Sequence, residues 1–152
     1  MDTLSKIKED LITALKSGET FKAETLRYVI AAIHNAEIAK GKDAQLSEEE
    51  LIQVLQKQVK QRQESIEAYQ KGGRSDLAEK EQKESDLIKT YLPAQMSEEE
   101  IRTLAQEAVK GSGASGPADM GKVMAVLMPK VKGKADGATV SRIVRESLVA
   151  RS

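Results

Sequence analysis

Residues 47–71 read SEEELIQVLQKQVKQRQESIEAYQK, and their pattern decides the fold. Ser47 and Glu50 form a capping box: the serine oxygen accepts the N–H three residues on, and the glutamate reaches back to the serine N–H. Leu46 before the cap and Leu51 after it have the spacing of a hydrophobic staple. Beyond the cap, Ile52, Val59 and Ile66 recur every seven residues, as do Leu55, Arg62 and Tyr69. That period marks the seam of an antiparallel helix pair rather than a broad globular-core face. The stretch predicts one long helix from Glu48 to about Lys71, broken by Gly72-Gly73.

Outward from it, every segment reads as helix. Upstream, Leu4, Ile7, Leu11, Ile12 and Leu15 form one apolar stripe that stops near Ser17-Gly18. Leu26, Val29, Ile30, Ile33 and Ala36 form a second, ending near Lys40-Gly41. Downstream, Ser75 is expected to cap a fourth helix carrying Leu77, Leu87, Ile88 and Tyr91, and Leu92-Pro93 to end it, because proline disfavours helix for the residue before it. Ser97-Glu98-Glu99-Glu100 repeats the capping box, with Met96 and Ile101 as its staple. The fifth helix carries Ile101, Leu104, Ala105, Ala108 and Val109. A Gly/Ser loop then leads to Pro117, suited to the first turn of a sixth helix that stops at or before Pro129. Lys130 to Gly137 is expected as a basic connection, with Asp136 capping a seventh helix on Val140, Ile143, Val144 and Leu148. The fold class is all-α: a helical N-terminal domain with long antiparallel helices over residues 1–95, and a three-helix module over 96–152.

Composition narrows the function classes. The chain has 152 residues, and no apolar run approaches the ~18 residues that cross a membrane. Cysteine is absent, which removes disulfides, thiol nucleophiles and thiolate metal sites. The start, Met1-Asp2-Thr3-Leu4-Ser5, lacks a charged-then-apolar signal pattern, so the expected location is the cytosol. Net charge is zero but unevenly placed. Residues 1–109 hold 16 Lys/Arg against 21 Asp/Glu, a net of −5, and residues 110–152 hold eight against three, a net of +5. A basic end on a neutral chain reads in two ways on charge alone, as a solvated Lys-rich surface or as a pointer to an anionic partner.

An active site does not assemble from these residues. His34 is the sole histidine and has no cysteine beside it. A helical di-metal site needs several inward carboxylates with Glu-x-x-His pairs, which one histidine cannot supply. The acidic groups Glu48–Glu50, Glu79–Asp86 and Glu98–Glu100 read as solvated faces. No Gly-x-x-x-x-Gly-Lys-Ser/Thr loop is present. Ser112, Ser115 and Lys122 are near one another in sequence but lack a strand-built scaffold for a nucleophile. No catalytic residue, metal or cofactor is expected.

The basic end is the candidate site. Lys130, Lys132 and Lys134 alternate along one connection, Arg142 and Arg145 lie three apart on one helix, and Lys122 sits near the start of the sixth helix. Such side chains neutralise phosphates. No aromatic lies beyond Tyr91, which argues against base stacking on a single strand and for recognition of a folded RNA by backbone and shape.

Several motifs resemble the GatB/YqeY family. They are Asp119-Met120-Gly121-Lys122-Val123-Met124, Pro129-Lys130, and Gly133-Lys134-Ala135-Asp136-Gly137 with Val140. Glu24-Thr25-Leu26-Arg27, Ala32 to Glu37, Gln56 to Ser65 and Tyr91 to Ser97 resemble its stand-alone YqeY-like members. The resemblance covers nearly the whole chain. It implies a helical N-terminal part followed by a three-helix module similar to the tail of the tRNA-dependent amidotransferase B subunit. That tail engages the tRNA body, while the glutaminase and transamidation centres lie in parts with no counterpart here. The partners implied are tRNA and an amidotransferase or aminoacyl-tRNA synthetase component. The family's label, carbon–nitrogen ligase with glutamine as amido-N-donor, is then inherited from the larger enzyme. Two other readings stand beside tRNA binding: a component of that amidotransferase activity, and a protein-interaction adaptor built on the helix pair around Ile52 to Tyr69.

Overall fold

The Ser47 capping box forms as its chemistry requires. Ser47 Oγ accepts the Glu50 N–H at 3.2 Å, and Glu50 Oε1 accepts the Ser47 N–H at 3.0 Å. These bonds open a helix over Glu48–Lys71 in a computed structural model that describes residues 2–151, the last by its backbone. Among the described residues there are seven α-helices, α1 (Thr3–Ser17), α2 (Thr20–Lys40), α3 (Glu48–Lys71), α4 (Ser75–Lys89), α5 (Glu98–Ser112), α6 (Met120–Val131) and α7 (Gly137–Arg151), with a 3₁₀ turn at Pro117–Asp119 and no strand. No helix among them is long and apolar enough to cross a membrane.

Contacts gather the chain into two units, Met1–Pro93 and Ala94–Ser152. In the first, α3 and α4 make the most extensive helix–helix contact. Their connection is short because Gly73 takes a left-handed conformation (φ 73°), which costs glycine little, and the Arg74 N–H then closes on the Tyr69 carbonyl at 2.8 Å. Asp2 caps α1 by accepting the Ser5 N–H at 2.8 Å. Ile7, Leu26, Val29, Ile33, Leu51, Leu55 and Ile88 form the core. Two residues beyond α4, Tyr91 donates to Asp10 Oδ2 at 2.5 Å, and Lys6 lies over its ring at 5.9 Å. Burial, aided by that carboxylate, pushes the Tyr91 hydroxyl up from its ordinary pKa.

Several local expectations shift. Ile12 and Leu15 are exposed, because Ile7 and Ala14 carry the buried line of α1. Ser75 is the first helical residue of α4 rather than its cap, and the cap position is Arg74, whose guanidinium pairs with Asp76 at 3.2 Å. That helix ends at Lys89, short of Leu92-Pro93, where the Thr90 hydroxyl donates to the Leu87 carbonyl.

In the second unit, α5, α6 and α7 enclose one cluster that includes Ile101, Ala105, Val123, Leu127, Val131, Ile143 and Leu148. Pro129 lies inside α6 instead of ending it. A proline this near a C-terminus forfeits one internal bond, and Val131, fully buried one half-turn later, holds the last turn against the core. Lys130 is therefore helical, Gly137 is the first residue of α7, and only residues 132–136 connect the two. Asp136 accepts the Thr139 N–H at 3.1 Å and caps α7 as expected.

The first cap carries a pH dependence. Lys40 Nζ, 2.7 Å from Glu50 Oε1, and the Ser47 N–H hold the Glu50 carboxyl at about 2, below its ordinary 4.5. Because the folded value is depressed, the unfolded chain takes the proton first. The contribution is present above about pH 4.5 and is lost as pH falls toward 2. Thermal midpoints of the wild type and of Glu50→Gln should differ at pH 7 and converge as pH drops through that window. A gap that stays constant would remove the carboxylate from the account.

Candidate nucleic-acid interface

The connection from α6 to α7 has an anchored backbone and exposed basic side chains. Val131 and Ala135 are buried, while Lys130, Lys132 and Lys134 alternate with them and are exposed. Gly133 adopts φ 77°, which turns the chain. The Lys134 and Ala135 N–H groups both donate to the Val131 carbonyl, at 2.9 and 3.0 Å. The segment before α5 pins the same turn: the Met96 N–H donates to the Lys134 carbonyl at 2.8 Å, and Gln95 Nε2 to the Gly133 carbonyl at 2.9 Å. Three ammonium groups thus leave a short, fixed stretch of backbone, with less ordering left for a ligand to impose.

The other three candidates are placed differently. Lys122 is exposed on the first turn of α6, 3.7 Å from Asp119 Oδ1, and about 12 Å from Lys130 along the helix axis at the standard rise. Asp119 also accepts the Ser115 N–H at 3.0 Å, which holds its carboxyl below the usual range, with Lys122 adding to the effect. Arg142 is committed to acids: Nη2 bonds Glu98 Oε1, and Nη1 lies 3.1 Å from Glu146 Oε1, while Glu146 Oε2 pairs with Arg102. Arg145 is exposed on α7. The structure therefore places Lys130 on the last turn of α6, next to Lys132 and Lys134 on the connection, and sets Arg142 in a four-residue network with α5. As a whole, the second unit holds nine Lys/Arg against seven Asp/Glu, a net of +2, because α5 brings Glu98, Glu99 and Glu100 into it. Its longest acid-free run is Met120 to Ala135.

The serines near Lys122 have structural partners. Ser112 Oγ donates to the Val109 carbonyl at 3.2 Å, and Ser115 is bound to Asp119. His34 is on the surface, with Nδ1 4.0 Å from Glu37.

One charged group escaped the pattern reading. Arg62 is only 8% exposed, and its Nη1 donates to Glu81 Oε2 at 3.1 Å and to Glu84 Oε2. Its guanidinium carbon lies 5.8 Å from the centre of the Tyr28 ring, and its Nε is buried without an acceptor. Glu81 and Glu84 are thus half-buried counter-charges, not members of a solvated face. The signal was available: Arg62 occupies a seam position between Leu55 and Tyr69, where a cation needs carboxylates from the facing helix.

Comparison with known proteins matches residues 4–148 to the family model described as "Yqey-like protein". Among curated relatives, "Altered inheritance of mitochondria protein 41, mitochondrial" of Eremothecium gossypii is 40% identical over 93 residues, covering 61% of this chain and 50% of that protein. Its namesake in Lachancea thermotolerans is 39% identical over 93 residues, covering 60% and 49%. In Pyrenophora tritici-repentis it is 32% identical over 152 residues, covering 97% and 82%. The chain spans about half the length of the first two relatives. Their names overturn the cytosolic expectation, since these relatives are mitochondrial proteins. A cysteine-free composition excludes reliance on disulfides and does not tell one compartment from another.

Proposed function

The chain belongs to the Yqey-like protein family, and from that premise we propose that it is a tRNA-binding accessory protein whose α6–α7 connection grips the phosphate backbone. The observation that carries this reading is the acid-free run from Met120 to Ala135, with Lys130, Lys132 and Lys134 exposed on a pinned backbone. The resemblance to the amidotransferase tail supports the same ligand. Lys122 and Arg145 extend the contact, and Arg142 positions α7 against α5 rather than meeting RNA. The absence of aromatics after Tyr91 favours a folded RNA, read by shape and backbone. The relatives' mitochondrial names make a mitochondrial tRNA the first RNA to test.

Binding through three or four cations should weaken with salt, with a log–log slope of roughly −3. Fluorescence anisotropy with labelled tRNA checks this directly. The triple replacement of Lys130, Lys132 and Lys134 by Glu should lower affinity more than tenfold, and Arg142→Gln much less. Unchanged affinity of the triple variant at low salt would sink the proposal.

A further inference from the structure

In the first unit, Phe21 and Tyr28 lie two turns apart on α2 and are 40% and 69% exposed. They are two of only four aromatics in the chain. They line a cleft of about 440 Å³ whose other walls come from α3 and α4. Exposed aromatics beside an arginine are the side chains that most often anchor protein interfaces. The charge on the walls selects the ligand. Glu24, Glu81 and Glu84 face Arg62 and Lys80, and Arg62 is already shared by Glu81 and Glu84. The balance is one negative charge, which opposes a phosphate and favours a cation. Gln58 and Gln61 supply amide groups along the α3 wall, suited to a peptide backbone. Arg62, which lines the α3 wall with its side chain only 9% exposed, keeps a buried Nε without an acceptor, a second and independent mark of an incomplete site.

The geometry points to a docking site for a basic peptide segment of a partner protein. An apolar side chain packs on Phe21 and Tyr28, and a Lys or Arg reaches the exposed Glu24 beside Glu81 and Glu84. The residues of this cleft belong to the first unit and the lysines assigned to RNA to the second, so either reading can fail without the other.

The test is to pan a phage-displayed random dodecapeptide library on the full chain and then measure a synthetic peptide of the enriched sequence. Enriched sequences should pair Lys or Arg with an apolar residue and shift backbone amide resonances along α2, α3 and α4. Affinity should fall at least tenfold in Tyr28→Ser and in Glu24→Lys. Both positions are exposed, and a circular dichroism melt confirms that each variant folds. Four results would each overturn the inference: enrichment of acidic peptides, enrichment equal to that on Tyr28→Ser, poly(U) RNA shifting the same resonances, or self-association that Tyr28→Ser abolishes.

Discussion

Replacing Arg62 with methionine should destabilise the first unit by about 2–4 kcal/mol, even though methionine is a good helix former and fills a similar volume. The cost comes from what stays behind. Glu81 and Glu84 keep 23% and 14% side-chain exposure, and without Arg62 they lie three residues apart on the same face of α4 without the guanidinium they share. Breaking a buried pair from one side costs about 3–5 kcal/mol, and the residual exposure of the two acids lowers that figure. Removing the acids as well should recover most of the loss, because the pair's own net worth is small once desolvation is counted. Arg62→Met with Glu81→Gln and Glu84→Gln is therefore expected to melt well above the single variant in urea or heat. Equal stability of the single variant and the wild type would mean that the network contributes nothing. The buried Nε acts the other way, since methionine removes an unpaired donor, and it draws the cost of the single variant toward the lower end of that range.

Arg62 also marks where reading from sequence stops. Its place in the seam was visible, because a seven-residue period is a local property of α3. Its partners were not, because Glu81 and Glu84 lie 19 and 22 residues away on a helix whose register depends on the Gly72-Gly73 turn. Arg142 repeats the lesson over a longer reach, with Glu98 lying 44 residues upstream. A charge count along the chain gave the C-terminal end +5, and folding returned three glutamates to its neighbourhood. Both capping boxes were legible because their geometry closes within four residues. Apolar periodicity located α1 but not the width of its buried face, which left Ile12 and Leu15 exposed. Pro129 misled because the rule for proline is local, while the burial of Val131 that extends α6 is tertiary. The lysines of the connection were named from spacing, but only the fold shows their backbone pinned by Gln95 and Met96.

Leu127→Ala should remove a large part of the second unit's stability. Leu127 is fully buried at the middle of α6, in the cluster shared with α5 and α7. A Leu→Ala change at such a site costs about 2–5 kcal/mol, through lost transfer energy and the cavity left behind. A unit of roughly 60 residues commonly holds only about 3–9 kcal/mol, so the substitution consumes a large share of it. Amide exchange should show protection falling together across α5, α6 and α7, since one cluster holds all three. Leu127→Met, which conserves volume, should cost less than about 1.5 kcal/mol. The same pair of variants separates charge from scaffold in RNA binding. The Lys130/Lys132/Lys134→Glu protein should keep its amide protection and lose RNA, because it alters exposed ends of side chains. Leu127→Ala should lose RNA in step with protection, because Val131 and the turn at Gly133 are released from the core that anchors them. RNA affinity that survives the loss of protection in Leu127→Ala would show that the lysines act as unstructured charge and that the pinned backbone of the connection is irrelevant to recognition.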